Sequence, residues 1–236
     1  MMRGEVFMNF ESTLRSNIMA AARNMGKGGT RFASFRNAAC NEKYWHLTNQ
    51  GGFKLRKGVT PAAGIRDIFK HGNKYAFECA VAIVILMYKA VLDTIGEEQF
   101  NALFPNLLLY SWQSDSDLGL TTRNINNSYA EPGDALYFKN PEVNPDVMEW
   151  QGENVIKLGD DLYYGHGLGI KNAASIIKAL NGHRTAGAEE SAYLENEVSF
   201  PNFRYLSQFA PVDSRSAGTL GSEFVSGKIG SNRYFF

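Results

Sequence analysis

Only two cysteines, Cys40 and Cys79, occur in 236 residues. A disulfide framework needs more, and a chain of this length can bury a core without covalent staples. Both are expected as reduced thiols in an intracellular setting, where one or both could react. Net charge is absent as well, since 24 Lys and Arg residues balance 24 Asp and Glu. Proteins that bind nucleic acid or a membrane surface concentrate positive charge, so neither partner is expected. Long apolar runs are missing. The most apolar stretch, Ala80 to Tyr88, is bounded by Glu78 and Lys89 and falls far short of the roughly 20 residues of a membrane span. The residues from Met1 to Phe10 mix Arg3 and Glu5 with apolar groups and contain no secretory h-region. There is no CxxC pair, no His-x-x-x-His and no phosphate-binding glycine loop, so no metal and no cofactor is expected.

What is present suffices for one well-packed domain. Leu14, Ile18, Ala21 and Met25 recur near every fourth position, which predicts an amphipathic helix over about 10–25, ended by Gly26, Gly28 and Gly29. Asn49, Gly51 and Gly52 mark a turn in a hairpin between Tyr44 and Leu55. Thr60 caps a further helix that has Pro61 at its first position and stops near Gly72. The segment from Tyr75 to about Ile95 is apolar on nearly all faces and predicts a central buried helix. A short helix follows at Glu97 to Leu103. Strands are then expected at Leu107 to Trp112, Asp134 to Phe138, Glu153 to Leu158 and Leu162 to Ile170, with a helix at Ala173 to Leu180. Helices first and strands afterwards indicate an α+β domain. From Pro211 onward the chain is rich in Gly and Ser with few apolar anchors until Tyr234-Phe235-Phe236, and a flexible or loosely docked tail is expected.

Cys79 falls at the start of the central helix, where the helix dipole and free backbone N–H groups favour a thiolate and can hold an oxyanion. A buried cysteine is also an ordinary core residue, so position alone decides little. The second signal is the run from Gly152 to Gly167. With a two-residue turn at Gly159 and Asp160, Glu153 lies directly opposite His166, their Cβ atoms about 5 Å apart on one face. A longer loop would make them diagonal neighbours. Such a pair can do acid–base work, or be a surface ion pair. Gly165 and Gly167 beside the histidine suggest close backbone approach. His46, His71 and His183 are expected to be structural, and Cys40 a structural or spare thiol. Phe32, Trp112 and Trp150 are either core aromatics or the walls of a channel that excludes water.

Taken together, Asn41-Glu42, the run from Gly52 to Val59, the run from Tyr75 to Ala80, and Gly152-Glu153-Asn154-Val155 with Tyr164-Gly165-His166-Gly167 resemble the spore-coat transglutaminases of endospore-forming bacteria. The match runs from about Leu14 to Ala210, in order and spacing, and the chain begins late relative to the family. The resemblance implies a single α+β domain with an NlpC/P60-type papain-like core, the central helix carrying the cysteine against an antiparallel sheet. It implies a catalytic domain at 1–210 and a tail at 211–236. It makes Cys79 the nucleophile, Glu153 the principal acid–base carboxylate, Glu78 a partly redundant second carboxylate and His166 a supporting residue. Phe32, Trp112 and Trp150 then line the catalytic tunnel. The implied reaction is calcium-independent isopeptide formation between glutamine and lysine side chains through a cysteine thioester. The implied substrates are spore coat proteins, the enzyme being a monomer made in the mother-cell cytoplasm and located in the spore coat. The alternatives are an NlpC/P60-like cysteine peptidase acting on cell-wall peptides, and a non-enzymatic coat or scaffold protein whose cysteine merely packs.

Overall fold

The computed structural model describes residues 2–111, 115–211, 226–229 and 232–235. Helix α1 (Met2–Met25) starts earlier than its apolar stripe suggests. Its buried residues Phe10, Leu14, Ile18, Ala21, Ala22 and Met25 form one face, which packs along the central helix. Strand β1 (Arg31–Phe32) follows, then the expected hairpin of β2 (Trp45–Leu47) and β3 (Phe53–Leu55). Helix α2 (Pro61–Lys70) begins as predicted, with Thr60 Oγ1 accepting from the Ala63 N–H.

The central helix starts later than the apolar run implies. Tyr75 to Phe77 is extended, because β4 (Ala76–Phe77) pairs in parallel with β1. Helix α3 (Cys79–Ile95) then begins, capped by the Glu78 side chain. Every residue from Cys79 to Ile95 is buried except Lys89, Asp93 and Thr94. Helix α4 (Glu97–Leu103) follows as expected. The strand expected over 107–112 is reduced to β5 (Leu108–Leu109), which pairs with β3. Trp112 lies outside the described residues.

The second half builds the main sheet. Its strands are β6 (Thr121–Arg123), β7 (Ala135–Lys139), β8 (Gly152–Gly159), β9 (Leu162–Gly165) and β10 (Gly169–Lys171), then, after helix α5 (Ala173–Asn181), β11 (Tyr193–Leu194) and β12 (Val198–Phe200). The order is β10-β9-β8-β7-β12-β6, all antiparallel, with β11 also on β7. The single strand expected over Leu162 to Ile170 is two strands. Gly167 and Gly169 have φ of 102° and 77°, left-handed values that let the chain reverse there and that a Cβ would oppose.

Side-chain alternation gives the sheet two buried faces. Ala135, Ile156, Leu158 and Tyr164 join the core built on α3. Leu136, Phe138, Val155 and Tyr163 join a second apolar cluster with Ile176 and Leu180 of α5. The helix carrying Cys79 thus lies against an antiparallel sheet. A short helix, α6 (Phe203–Leu206), returns to α1. The predicted tail lies mostly outside the described residues. Within it β13 (Ser226–Ile229) and β14 (Asn232–Phe235) pair as a hairpin. Among the described residues no helix is long and apolar enough to cross a membrane.

Candidate active site

Cys79 is the first residue of α3, and it sits against the middle of β8. Its Sγ–H donates to Glu78 Oε1 at 2.9 Å. The other Glu78 oxygen, Oε2, accepts the Ala80 N–H at 2.6 Å. One side chain therefore caps the helix and receives the thiol. Asn154 Nδ2 approaches Sγ from the sheet at 3.1 Å, and the Asn154 backbone N–H also reaches the sulfur. Burial pushes the Cys79 thiol well above its ordinary range, and the charges of Glu153 and Glu78 push it further. The thiolate expected from a helix start alone is thus not the resting state. Desolvation and two carboxylates outweigh the helix dipole.

Glu153 is buried, and its Oε1 accepts no hydrogen bond. Burial first, then the nearby Glu78, raises its carboxyl well above the carboxylate range, against the pull of a backbone N–H from His166. Space for this carboxylate comes from Gly165, where a Cβ would stand 2.7 Å from Glu153 Oε1.

The predicted Glu153–His166 cross-strand pair does not form. The β8–β9 turn falls at Asp160 and Asp161, with Asp161 at φ 44° and a register shift between Lys157 and Gly159. Val155 consequently faces Gly165 and Ile156 faces Tyr164, one residue out from the expected register. A slip of one residue moves a side chain to the other face. His166 meets Glu153 only through its backbone N–H. Its ring is stacked on Phe77 at 4.4 Å, with Nε2 3.0 Å from the Arg31 carbonyl and Nδ1 3.3 Å from Tyr164 Oη. A carbonyl can only accept, so Nε2 carries the proton and Nδ1 accepts from the tyrosine. Burial lowers this imidazole to about 4 and keeps it neutral.

A cleft of about 940 Å³ opens onto Cys79. Among the described residues its aromatic lining is Phe35, Tyr110 and Tyr137, none of which the sequence singles out. Phe35 and Tyr110 are paired at 5.1 Å. Phe32 instead packs beside the His166 ring, at 6.4 Å. Trp150 turns away from the cleft and stacks on His183 at 3.8 Å. That accounts for His183 structurally, as Asp67 Oδ1 at 2.6 Å from Nδ1 accounts for His71. Cys40, half-buried beside Glu42, is pushed up to about 11 by burial and that charge, as suits a spare thiol. Asn154 had one legible signal: it is the polar member of a β8 face otherwise occupied by Ile156 and Leu158.

The comparisons with known proteins converge. A family model described as Protein-glutamine gamma-glutamyltransferase matches residues 5–210. A protein-glutamine gamma-glutamyltransferase from Bacillus pumilus is 49% identical over 199 residues, 84% of this chain and 80% of that protein. One from Bacillus cereus (strain B4264) is 45% identical over 203 residues, 86% of this chain and 73% of that one. Among solved structures, the transglutaminase from Geobacillus stearothermophilus without its C-terminal extension superposes with a TM-score of 0.85 at 51% identity. That match covers 88% of this chain and 98% of the other.

Proposed function

The chain belongs to the protein-glutamine gamma-glutamyltransferase family and is a transglutaminase, and from that premise we propose that Cys79 carries the acyl group while Glu78 and Glu153 share the protons. The observation that carries this reading is the thiol of Cys79, hydrogen-bonded to one glutamate at the floor of a cleft, with a second, proton-holding glutamate buried beside it.

The proton count closes over the cycle. Sγ attacks the glutamine carboxamide carbon while its proton passes along the existing bond to Glu78 Oε1. Protonated Glu153 gives its proton to the departing nitrogen, ammonia leaves and a thioester remains. A lysine amine then attacks the thioester and loses a proton to Glu153, and Glu78 returns its proton to the sulfur as the isopeptide forms. The two carboxyl groups hold one proton between them at rest and in the thioester state, and two while each tetrahedral intermediate lasts. At rest that proton sits on Glu153, which fits the burial and the neighbouring Glu78 charge that raise its proton affinity. His166 supports the site by fixing β1 to the end of β9, its ring spanning from Arg31 to Tyr164.

The hydrolase alternative asks for an imidazole on the sulfur. Both nitrogens of His166 are engaged elsewhere, which speaks against it. The acidic lining of the cleft, Glu78, Asp146, Glu149, Glu195 and Glu197 against Arg36, suits an incoming lysine. Phe32 and Trp150 act in this reading behind the cleft wall rather than on the substrate. We further propose that residues 1–210 form the catalytic unit on a papain-like core, with 211–236 a separate tail. The enzyme works as a monomer without calcium, made in the mother cell, and its substrates are spore coat proteins with accessible glutamine and lysine.

The test is incorporation of a fluorescent primary amine into a glutamine-containing protein. Cys79→Ala is expected to abolish it with an unchanged circular dichroism spectrum. Incorporation at the wild-type rate by that variant would remove the first step.

A further inference from the structure

The reaction just described places a negative charge on the carboxamide oxygen, and one of the helix-start donors, the N–H of the second residue Ala80, is already committed. The Ala80 N–H is held by Glu78 Oε2 at 2.6 Å. We propose that the side-chain amide of Asn154 is the oxyanion donor of this enzyme. The proposal rests on the cysteine acyl-transfer reading above.

Three observations carry it. First, Asn154 Nδ2 already points at the reacting atom, 3.1 Å from Cys79 Sγ. An oxygen bonded through carbon to Sγ lies within about 3 Å of the sulfur, so a small turn of the same N–H brings it onto that oxygen. Second, Asn154 lines the cleft together with Cys79 and Ala80, on the side from which a substrate arrives. Third, the residue is held on a central strand. It pairs with Tyr137 of β7, while the next residue of β8, Val155, pairs with Gly165 of β9, so the donor is fixed before the charge develops. In the step itself the Sγ electron pair forms the S–C bond and the carbonyl π pair moves to oxygen, where the Asn154 N–H receives it. The pair then returns, the C–N bond breaks, and Glu153 supplies the proton that leaves with ammonia.

A neutral amide is the suitable group here. A cation would pull the proton off the thiol and fix the negative charge on sulfur before substrate arrives. A third carboxylate would repel the oxyanion. Asn154 lets the thiol stay protonated at rest and acts when charge moves to oxygen.

The experiment compares wild type with Asn154→Ala and the similarly sized, donor-free Asn154→Leu. Three rates are followed for each: ammonia release from a glutamine peptide, amine incorporation, and alkylation of Cys79 by iodoacetamide across pH. Loss of the donor is expected to lower kcat for ammonia release by roughly 100- to 1,000-fold. KM and the alkylation profile should stay within a few-fold of wild type. Whichever variant keeps the wild-type circular dichroism spectrum carries the readout. A kcat within about five-fold of wild type overturns the proposal. So does an alkylation rate that falls as far as kcat, which would make Asn154 a positioning residue for the thiol. Wild-type ammonia release without amine incorporation would instead overturn the transferase reading, and the Asn154 comparison would still be read on ammonia.

Discussion

At the scale of single residues, the carboxyl of Glu153 ties stability to activity through its proton. Burial raises its proton affinity in the folded chain above that in the unfolded chain. The folded state then binds more protons than the unfolded one as pH rises past the ordinary value of 4.5, so stability falls over that window. Glu153→Gln keeps the shape and removes the proton. It is expected to lower amine incorporation by about 100-fold or more and to raise Tm relative to wild type by an amount that grows between pH 5 and pH 9. A Tm difference independent of pH would show that Glu153 is not held protonated. His166 works in the opposite sense. Its imidazole falls from 6.5 to about 4 on folding, so the unfolded state binds more protons in between. Stability is complete above 6.5 and is lost as pH falls toward 4, on the order of 3 kcal/mol. His166→Phe is expected to be less stable at pH 8, because the Arg31 carbonyl loses its partner, yet to lose less between pH 7 and pH 4.5 than wild type. Thermal denaturation at those pH values checks it.

At the scale of elements, the site depends on how β8 and β9 meet. Gly165 on β9 leaves the space that the Glu153 carboxylate fills. Gly165→Ala puts a methyl group 2.7 Å from Oε1 and 2.9 Å from Cγ of Glu153, so the whole buried side chain must shift. Stability is expected to fall by about 1–3 kcal/mol while kcat falls at least about ten-fold, read by denaturant unfolding beside the amine assay. The register that creates this contact was not legible beforehand. Local turn rules placed the reversal at Gly159 and Asp160, whereas Asp161 in a left-handed conformation carries it and a register shift absorbs the extra residue. Local periodicity failed in the same way at Tyr75 to Phe77. Their apolar character continues that of α3, and only pairing with distant β1 makes them extended. Elements governed by their own residues were read correctly: the Thr60–Pro61 start, α3 beyond Cys79 and the hairpin of β2 and β3. The same division runs through the site. Cys79 at a helix start is a local fact, and so is Glu78 beside it. Asn154, Tyr110 and Tyr137 become site residues only once the sheet packs on α3.

At the scale of the whole molecule, a chain with no net charge still carries an uneven field. Among the described residues five acidic side chains and one arginine line the cleft, although Lys139 offsets Glu195 at 3.3 Å. Long-range attraction of lysine is screened by salt, whose Debye length is about 10 Å at 0.1 M. KM for a lysine-bearing acceptor is expected to rise several-fold between 0.02 M and about 0.5 M salt, while KM for an uncharged glutamine peptide changes little. Equal shifts in the two would remove the field as a contributor. The separation in sequence of the parts brought together here also has a temporal meaning. The sulfur meets an amide 75 residues further on, and the His166 ring meets a carbonyl 135 residues earlier. Contacts of such long loop closure form late on the folding route. A nascent chain therefore exposes Cys79 well before Glu153 and Asn154 have been synthesised, and cross-linking competence arrives only when the sheet closes on α3. Late assembly guards against premature self-attachment: a half-made cross-linker, surrounded by glutamines and lysines on the ribosome, has no working centre with which to join them.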